Sequence, residues 1–127
     1  MRVWVNGTFD VLHIGHLRLI QYANSFGEVR VGIDKDIRVK ELKGDDRPIN
    51  NWFDRIEMMR SLRYVDSVVG FSTDDELRDE IKKWNPDIMI VGSDYKDKPV
   101  IGSELVGKVL FFDKIGDHST TKIISHG

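Results

Sequence analysis

The chain has 127 residues, of which 40% are hydrophobic and 31% charged, with a net charge of −2 and no cysteine. That is ordinary globular usage and enough chain for one sizeable core. It excludes disulfides and thiolate metal sites, and it implies no general attraction to nucleic acid or membrane surfaces.

The first apolar run, Val3-Trp4-Val5, predicts a strand over Met1–Asn6. The chain enters this strand at once, so nothing resembles a signal peptide, and no apolar run approaches the roughly 20 residues of a membrane span. A cytoplasmic location is the expectation. A helix is predicted from Ile14 to about Phe26, with Gly27 at its C-terminal cap. Glu28–Ile33 reads as a second strand, making a βαβ unit and implying a parallel sheet with a right-handed crossover. The segment from Lys35 to Asn51 is polar and reads as a long loop, which in a compact domain is often functional.

Asn51 is placed to cap a helix from Trp52 to about Arg63, followed by a strand over Val65–Phe71. Thr73 and Glu76 have capping-box spacing at the start of a helix that runs to Trp84 and stops at Asn85-Pro86. Strands are predicted over Asp87–Val91 and Val109–Phe112, with one helical turn between them near Ser103 and a short last helix from Ser119 or Thr120. The alternation predicts a single α/β domain over residues 1–127. Its architecture is a Rossmann-like open parallel sheet of about five strands with helices on both faces. Ligands in such sheets bind beyond the carboxyl ends of the strands, where the loops at 7–16, 92–107 and 116–121 should meet.

The chemistry concentrates between Gly7 and His16, read G-T-F-D-V-L-H-I-G-H. A helix N-terminus receives phosphate well, and Gly15 allows close backbone approach. His13 and His16 at that mouth can donate to phosphate oxygens; the competing reading is one capping and one packing histidine. A zinc reading needs a third ligand, and none stands out. Thr8 offers an N–H and a hydroxyl to phosphate. Phe9 belongs to the same stretch, with core packing the preferred role. Asp10 can help hold magnesium, orient a lysine, or cap the turn. Lys40, Lys43 and Arg47 form a cationic group suited to closing over a triphosphate, or a solvated charged loop. Gly92 and Asp94 stand at the fourth strand's end and suit a base or ribose, or a simple turn. Ser119, Thr120 and Thr121 can receive phosphate at a second helix start or act as ordinary N-caps.

T-F-D with H-I-G-H resembles the H-x-G-H signature of the nucleotidylyltransferase superfamily. K-G-D-D-R-P-I-N, F-D-R, R-Y-V-D, V-G-S-D-Y-K and H-S-T-T-K-I-I extend that resemblance over nearly the whole chain. It implies transfer of a nucleoside monophosphate from ATP or CTP to a phosphorylated sugar or polyol, with release of pyrophosphate and magnesium on the phosphates. It further implies that Arg55 reaches the acceptor phosphate beside His13, His16 and Lys43, and that Lys40, Arg47 and Arg63 lie towards the acceptor. Arg63 with Asp66 is equally open to a structural pair or a dimer contact. K-G-D-D-R-P, G-S-D-Y-K and I-G-S-E look most like the adenylyltransferase domain of bifunctional ADP-heptose synthase. R-Y-V-D and S-T-T-K-I also look like glycerol-3-phosphate cytidylyltransferase. Some cytidylyltransferases carry an arginine five residues before Ser119, where this chain has Lys114. A nucleotide-sensing module without turnover is the alternative outside enzymology. The family often forms homodimers, and Trp52 is expected to be an exposed aromatic that supports one.

Overall fold

The computed structural model describes residues 1–92 and 99–112. Five strands form one parallel sheet: β1 (Arg2–Gly7), β2 (Glu28–Asp34), β3 (Ser67–Phe71), β4 (Ile88–Gly92) and β5 (Lys108–Phe112). Their order is β3-β2-β1-β4-β5. The helices are α1 (Ile14–Asn24), α2 (Asp36–Lys43), α3 (Trp52–Arg60) and α4 (Asp74–Trp84), with a 3-10 turn at Ser103–Leu105.

Strand alternation sorts the core into two layers, because successive side chains leave opposite faces of the sheet. Val3 and Val5 of β1, Val29, Val31 and Ile33 of β2, and Ile88 and Ile90 of β4 pack with α1 and with Met59 of α3. Trp4, Met89 and Val91 point the other way, onto Leu77, Ile81 and Trp84 of α4. Helices thus cover both faces, as the alternating pattern predicts. Trp4 is fully buried and lies over Gly32, where an added Cβ would come within 2.5 Å of the indole. A glycine in mid-strand here makes room for the largest side chain of that layer.

Several boundaries differ from the sequence reading. The polar segment 35–51 contains α2 rather than being a loop throughout. Only Val39 of that helix is buried, so it carries almost no apolar periodicity to read. Its acid–base order suits the helix dipole instead, with Asp36 in the first turn and Lys40 and Lys43 in the last. The third helix stops at Arg60 with Ser61 as its cap, three residues before Arg63. Residues 65 and 66 precede β3, and the Asp66 carboxylate and N–H instead pair with the backbone of Val29. Thr73 caps α4 by accepting from the Glu76 N–H, while the Glu76 carboxylate accepts from Ser72, one residue before the cap. Trp52 is not an exposed aromatic. It packs down on Gly70, whose added Cβ would fall 2.0 Å from the indole, and the outward aromatic is its neighbour Phe53. The predicted last helix lies outside the described residues.

Candidate active site

The sheet opens at one place. β1 pairs with β2 along six residues but with β4 only at Val3–Ile88 and Trp4–Met89. Beyond Trp4 the two central strands lose their pairing towards the carboxyl rim. Continuing the register would set Gly7 opposite Gly92. The connection leaving β1 runs to β2 on one side of this gap and the chain leaving β4 continues to β5 on the other, which makes it the crevice where open α/β sheets take ligands. Glycine ends both strands, so no side chain of these two residues enters it. An added Cβ at Gly7 would also crowd the Phe9 ring, at 3.1 Å.

The two histidines stand at the start of α1, immediately after β1's loop. His13 is the N-cap, and its Nδ1 accepts from the Gly15 N–H at 3.1 Å. His16 reciprocates: its Nδ1 accepts from the His13 N–H at 3.2 Å. This is a capping box built from two imidazoles in place of the usual hydroxyl and carboxylate. Because both Nδ1 atoms accept, each neutral ring carries its proton on Nε2. The rings stack at 3.8 Å between centroids with 23° between planes. The first turn of α1 contains no acidic residue to offset the positive end of the helix. The arrangement offers Nε2–H donors and a helix dipole together, which suits stabilising negative charge on a phosphate. The capping reading and the phosphate reading of these histidines are therefore compatible, because the cap uses only Nδ1 of each ring; the Nε2 of His13 is buried.

Other predicted residues fall at the same rim with altered roles. Thr8 donates its hydroxyl to Asp34 at 3.2 Å. Gly15 is buried at the helix mouth. Arg47 reaches to 3.7 Å from the Asp10 carboxylate, and Lys40 and Lys43 project exposed from α2, the helix that follows β2 at the carboxyl rim. Phe9 is core, 5% exposed, with φ of 48° and its ring edge against His16 at 5.2 Å. The structure thus supports packing for it rather than nucleotide contact.

Three expectations need correction. Arg55 does not face an acceptor phosphate. Its side chain is fully buried, and its guanidinium donates to the carbonyls of Asn50, Thr8 and Asp34 and pairs with Asp36 at 2.7 Å. Those bonds consume the planar donor fork that a phosphate would need. Asp10 is not placed as a metal ligand. Its two oxygens accept from the N–H groups of Ile49 and Asn50, each at 2.7 Å, so it ties the segment before α3 to the loop after β1. Arg63 lies past the end of α3, just before β3, at the amino end of the sheet. The Gly7–His16 loop is at the carboxyl end, so Arg63 cannot join it; its guanidinium lies over Tyr64 instead. Asp94, Ser119, Thr120, Thr121 and Lys114 lie outside the described residues.

Two rim residues escaped the sequence reading. Asp34 closes β2 almost buried, receiving Thr8 and, at 2.8 Å, Arg38. Arg38 also bridges to Asp74, and these carboxylates raise its pKa above the usual guanidinium value, against the burial that lowers it. Asn50 links Asp10 to Arg55. The available signal for Asp34 was its position as the first polar residue after a buried strand. Asn50 ends the K-G-D-D-R-P-I-N stretch, which by itself assigns it no role.

Among the described residues no three His, Asp or Glu side chains converge to hold a metal ion. With the oxygens of Asp10 already accepting backbone N–H groups, the described side chains do not by themselves build a magnesium cage, which is octahedral and draws heavily on substrate phosphates and water.

An open Rossmann-like sheet that sets a glycine-walled crevice beside a helix mouth bearing two imidazoles agrees with a nucleotidyltransferase, the class that the family and its relatives define. The family model described as cytidylyltransferase-like matches residues 4–125, and the chain belongs to that family. It is 46% identical over 123 residues to a bifunctional protein HldE from Nitratiruptor, and 46% over 124 residues to one from Campylobacter fetus. These alignments cover 96% and 97% of this chain but only 26% and 27% of the relatives, so the chain spans about a quarter of their length. The match agrees with the resemblance to the adenylyltransferase domain of bifunctional ADP-heptose synthase. Among solved structures, a lipopolysaccharide core biosynthesis protein from Thermoplasma volcanium shares the fold with a TM-score of 0.71 at 24% identity, covering 88% of this chain and 96% of that one. A protein of unknown function from Archaeoglobus fulgidus does so at 0.63 and 20%, covering 89% and 87%.

Proposed function

We propose that residues 1–127 form one nucleotidyltransferase domain that transfers the nucleoside monophosphate of ATP to a heptose 1-phosphate. The observation that carries the nucleotidyl chemistry is the pair of capped imidazoles at the mouth of the β1–β4 crevice. The preference for ATP and a heptose rests on the likeness along nearly the whole chain to the bifunctional HldE proteins.

An oxygen of the acceptor phosphate attacks the α-phosphorus in line. The new P–O bond forms as the α–β bridging P–O bond breaks, and pyrophosphate carries away the electron pair. His13 and His16 donate Nε2–H bonds to the phosphate oxygens where charge accumulates. Lys43, Lys40 and Arg47 neutralise the two anions. Gly7, Thr8 and Gly15 line the approach. Gly92 and Asp94 receive the base and ribose, and Ser119, Thr120 and Thr121 hold the β and γ phosphates. The acceptor is already ionised at neutral pH, so no general base is needed. A divalent cation such as magnesium, brought in with the triphosphate, would help neutralise its charge. We place the protein in the cytoplasm as a homodimer without nucleic-acid or membrane partners. Among the described residues, no helix is long and apolar enough to cross a membrane.

Glycerol-3-phosphate cytidylyltransferase is the second reading, favoured by R-Y-V-D and S-T-T-K-I. Pyrophosphate release with ATP and CTP, each crossed with heptose 1-phosphate and glycerol 3-phosphate, separates them. Release with ATP and the heptose is expected. Release with CTP and the polyol would move the protein to the second branch. Silence in all four, with nucleotide still bound, would return the non-catalytic binding module or an untested acceptor.

A further inference from the structure

We infer that Asn50, with Arg55, is a positioning residue for the histidine pair, acting through the strained turn at Phe9. The inference rests on the nucleotidyl-transfer reading for its kinetic consequence, but not for its geometry. Phe9 sits at φ 48°, in the left-handed region that a bulky side chain seldom occupies. Such a conformation persists only where its surroundings over-determine it. Here both flanks are held. On one side the Thr8 carbonyl accepts from Arg55 at 3.0 Å. On the other, the Asn50 amide donates to the Asp10 carbonyl, while the Asp10 carboxylate accepts from the Ile49 and Asn50 N–H groups. Arg55 closes the ring by donating to the Asn50 carbonyl at 3.0 Å. The circuit therefore runs Thr8, Asp10, Asn50, Arg55 and back to Thr8, with Phe9 at its centre.

The turn connects directly to the chemistry. The Phe9 ring meets the His16 ring edge-on at 5.2 Å, and the His16 ring stacks on His13 at 3.8 Å. A turn that relaxes moves the Phe9 ring, and with it the imidazole that His16 presents. Misplacing a reacting group by about 1 Å can cost on the order of 100-fold in rate. The hydrogen bonds of Asn50 go to Asp10 and Arg55, so its effect on the histidines is indirect.

The test uses the full chain and three variants: Asn50→Leu, Phe9→Leu and the double substitution. Asn50→Ser, which likewise removes the amide that donates to the Asp10 carbonyl but is smaller and polar, stands in if Asn50→Leu does not fold. Long-range proton–nitrogen spectra of the imidazoles report tautomer and environment without any acceptor, so they decide the matter even if the substrate reading fails. Asn50→Leu should shift the His13 and His16 signals and lower kcat by about tenfold or more, with little change in KM for the triphosphate. The double variant should lose no more than the worse single one, because both act through one contact. Unchanged imidazole signals with only a lower Tm would overturn the inference. So would fully additive kcat losses, or a rise confined to the acceptor KM.

Discussion

Arg55→Met removes the guanidinium and keeps most of the side-chain volume. In the folded protein that group makes four bonds, to the carbonyls of Asn50, Thr8 and Asp34 and to the Asp36 carboxylate, and none of it reaches solvent. Asp36 is 39% exposed and can be resolvated, so its loss is cheap. The Asp34 carbonyl is buried, and its 2.7 Å bond has no substitute in a methionine. Leaving the buried acceptor unmet costs about 1–3 kcal/mol, and the part-buried Asn50 and Thr8 carbonyls each lose a bond worth about 0.5–1.5 kcal/mol. With the part-exposed contacts partly recovered by water, we expect a net loss of about 4 kcal/mol. That is a large share of a total near 5–15 kcal/mol. Urea unfolding followed by circular dichroism should show the midpoint falling by about 2 M if the slope is about 2 kcal/mol/M. A loss below about 1 kcal/mol, accompanied by a selective rise in acceptor KM, would refute this reasoning and put Arg55 back on the acceptor phosphate.

His16→Ala should cut turnover by about 10²–10³ while costing only about 1 kcal/mol of stability through the lost cap, as read by steady-state kinetics beside thermal unfolding. Near-normal turnover would remove its catalytic role. Lys43→Ala should weaken triphosphate binding about tenfold in calorimetry and leave Tm unchanged, because its side chain projects into solvent. Unchanged affinity would make α2 a solvated charged helix. Gly70→Ala should destabilise by about 1–3 kcal/mol, since the added methyl collides with the Trp52 indole, and tryptophan fluorescence should report the displacement. An unperturbed spectrum and Tm would show that this face yields easily.

The buried strands and the helix mouth were legible because they are written locally. Val3-Trp4-Val5 and the Val29–Ile33 run carry the sheet, and Asn51 and Thr73 mark helix starts through their own side chains. α2 was not legible, because only Val39 anchors it to the core and the rest of its hold comes from Asp36 to Arg55 and Arg38 to Asp34 and Asp74. Asp34–Arg38 is local, at four residues, but the other two span 19 and 36 residues, which no local pattern encodes. The same holds at the site. The histidines were visible as a motif, but their mutual capping, and so the position of the ring protons, needed three-dimensional geometry. Arg55 has the residue type of a phosphate ligand, and only its complete burial shows that it is a tether.

The most direct test of nucleotidyl transfer is phosphorus NMR of the complete reaction, with ATP, heptose 1-phosphate and magnesium. The account predicts that the α-phosphorus appears in a diphosphate linked to the sugar while pyrophosphate accumulates in equal amount, and that both signals grow about 10²–10³-fold more slowly with His16→Ala. Transfer of the γ-phosphate, or equal turnover in the His16 variant, would contradict it.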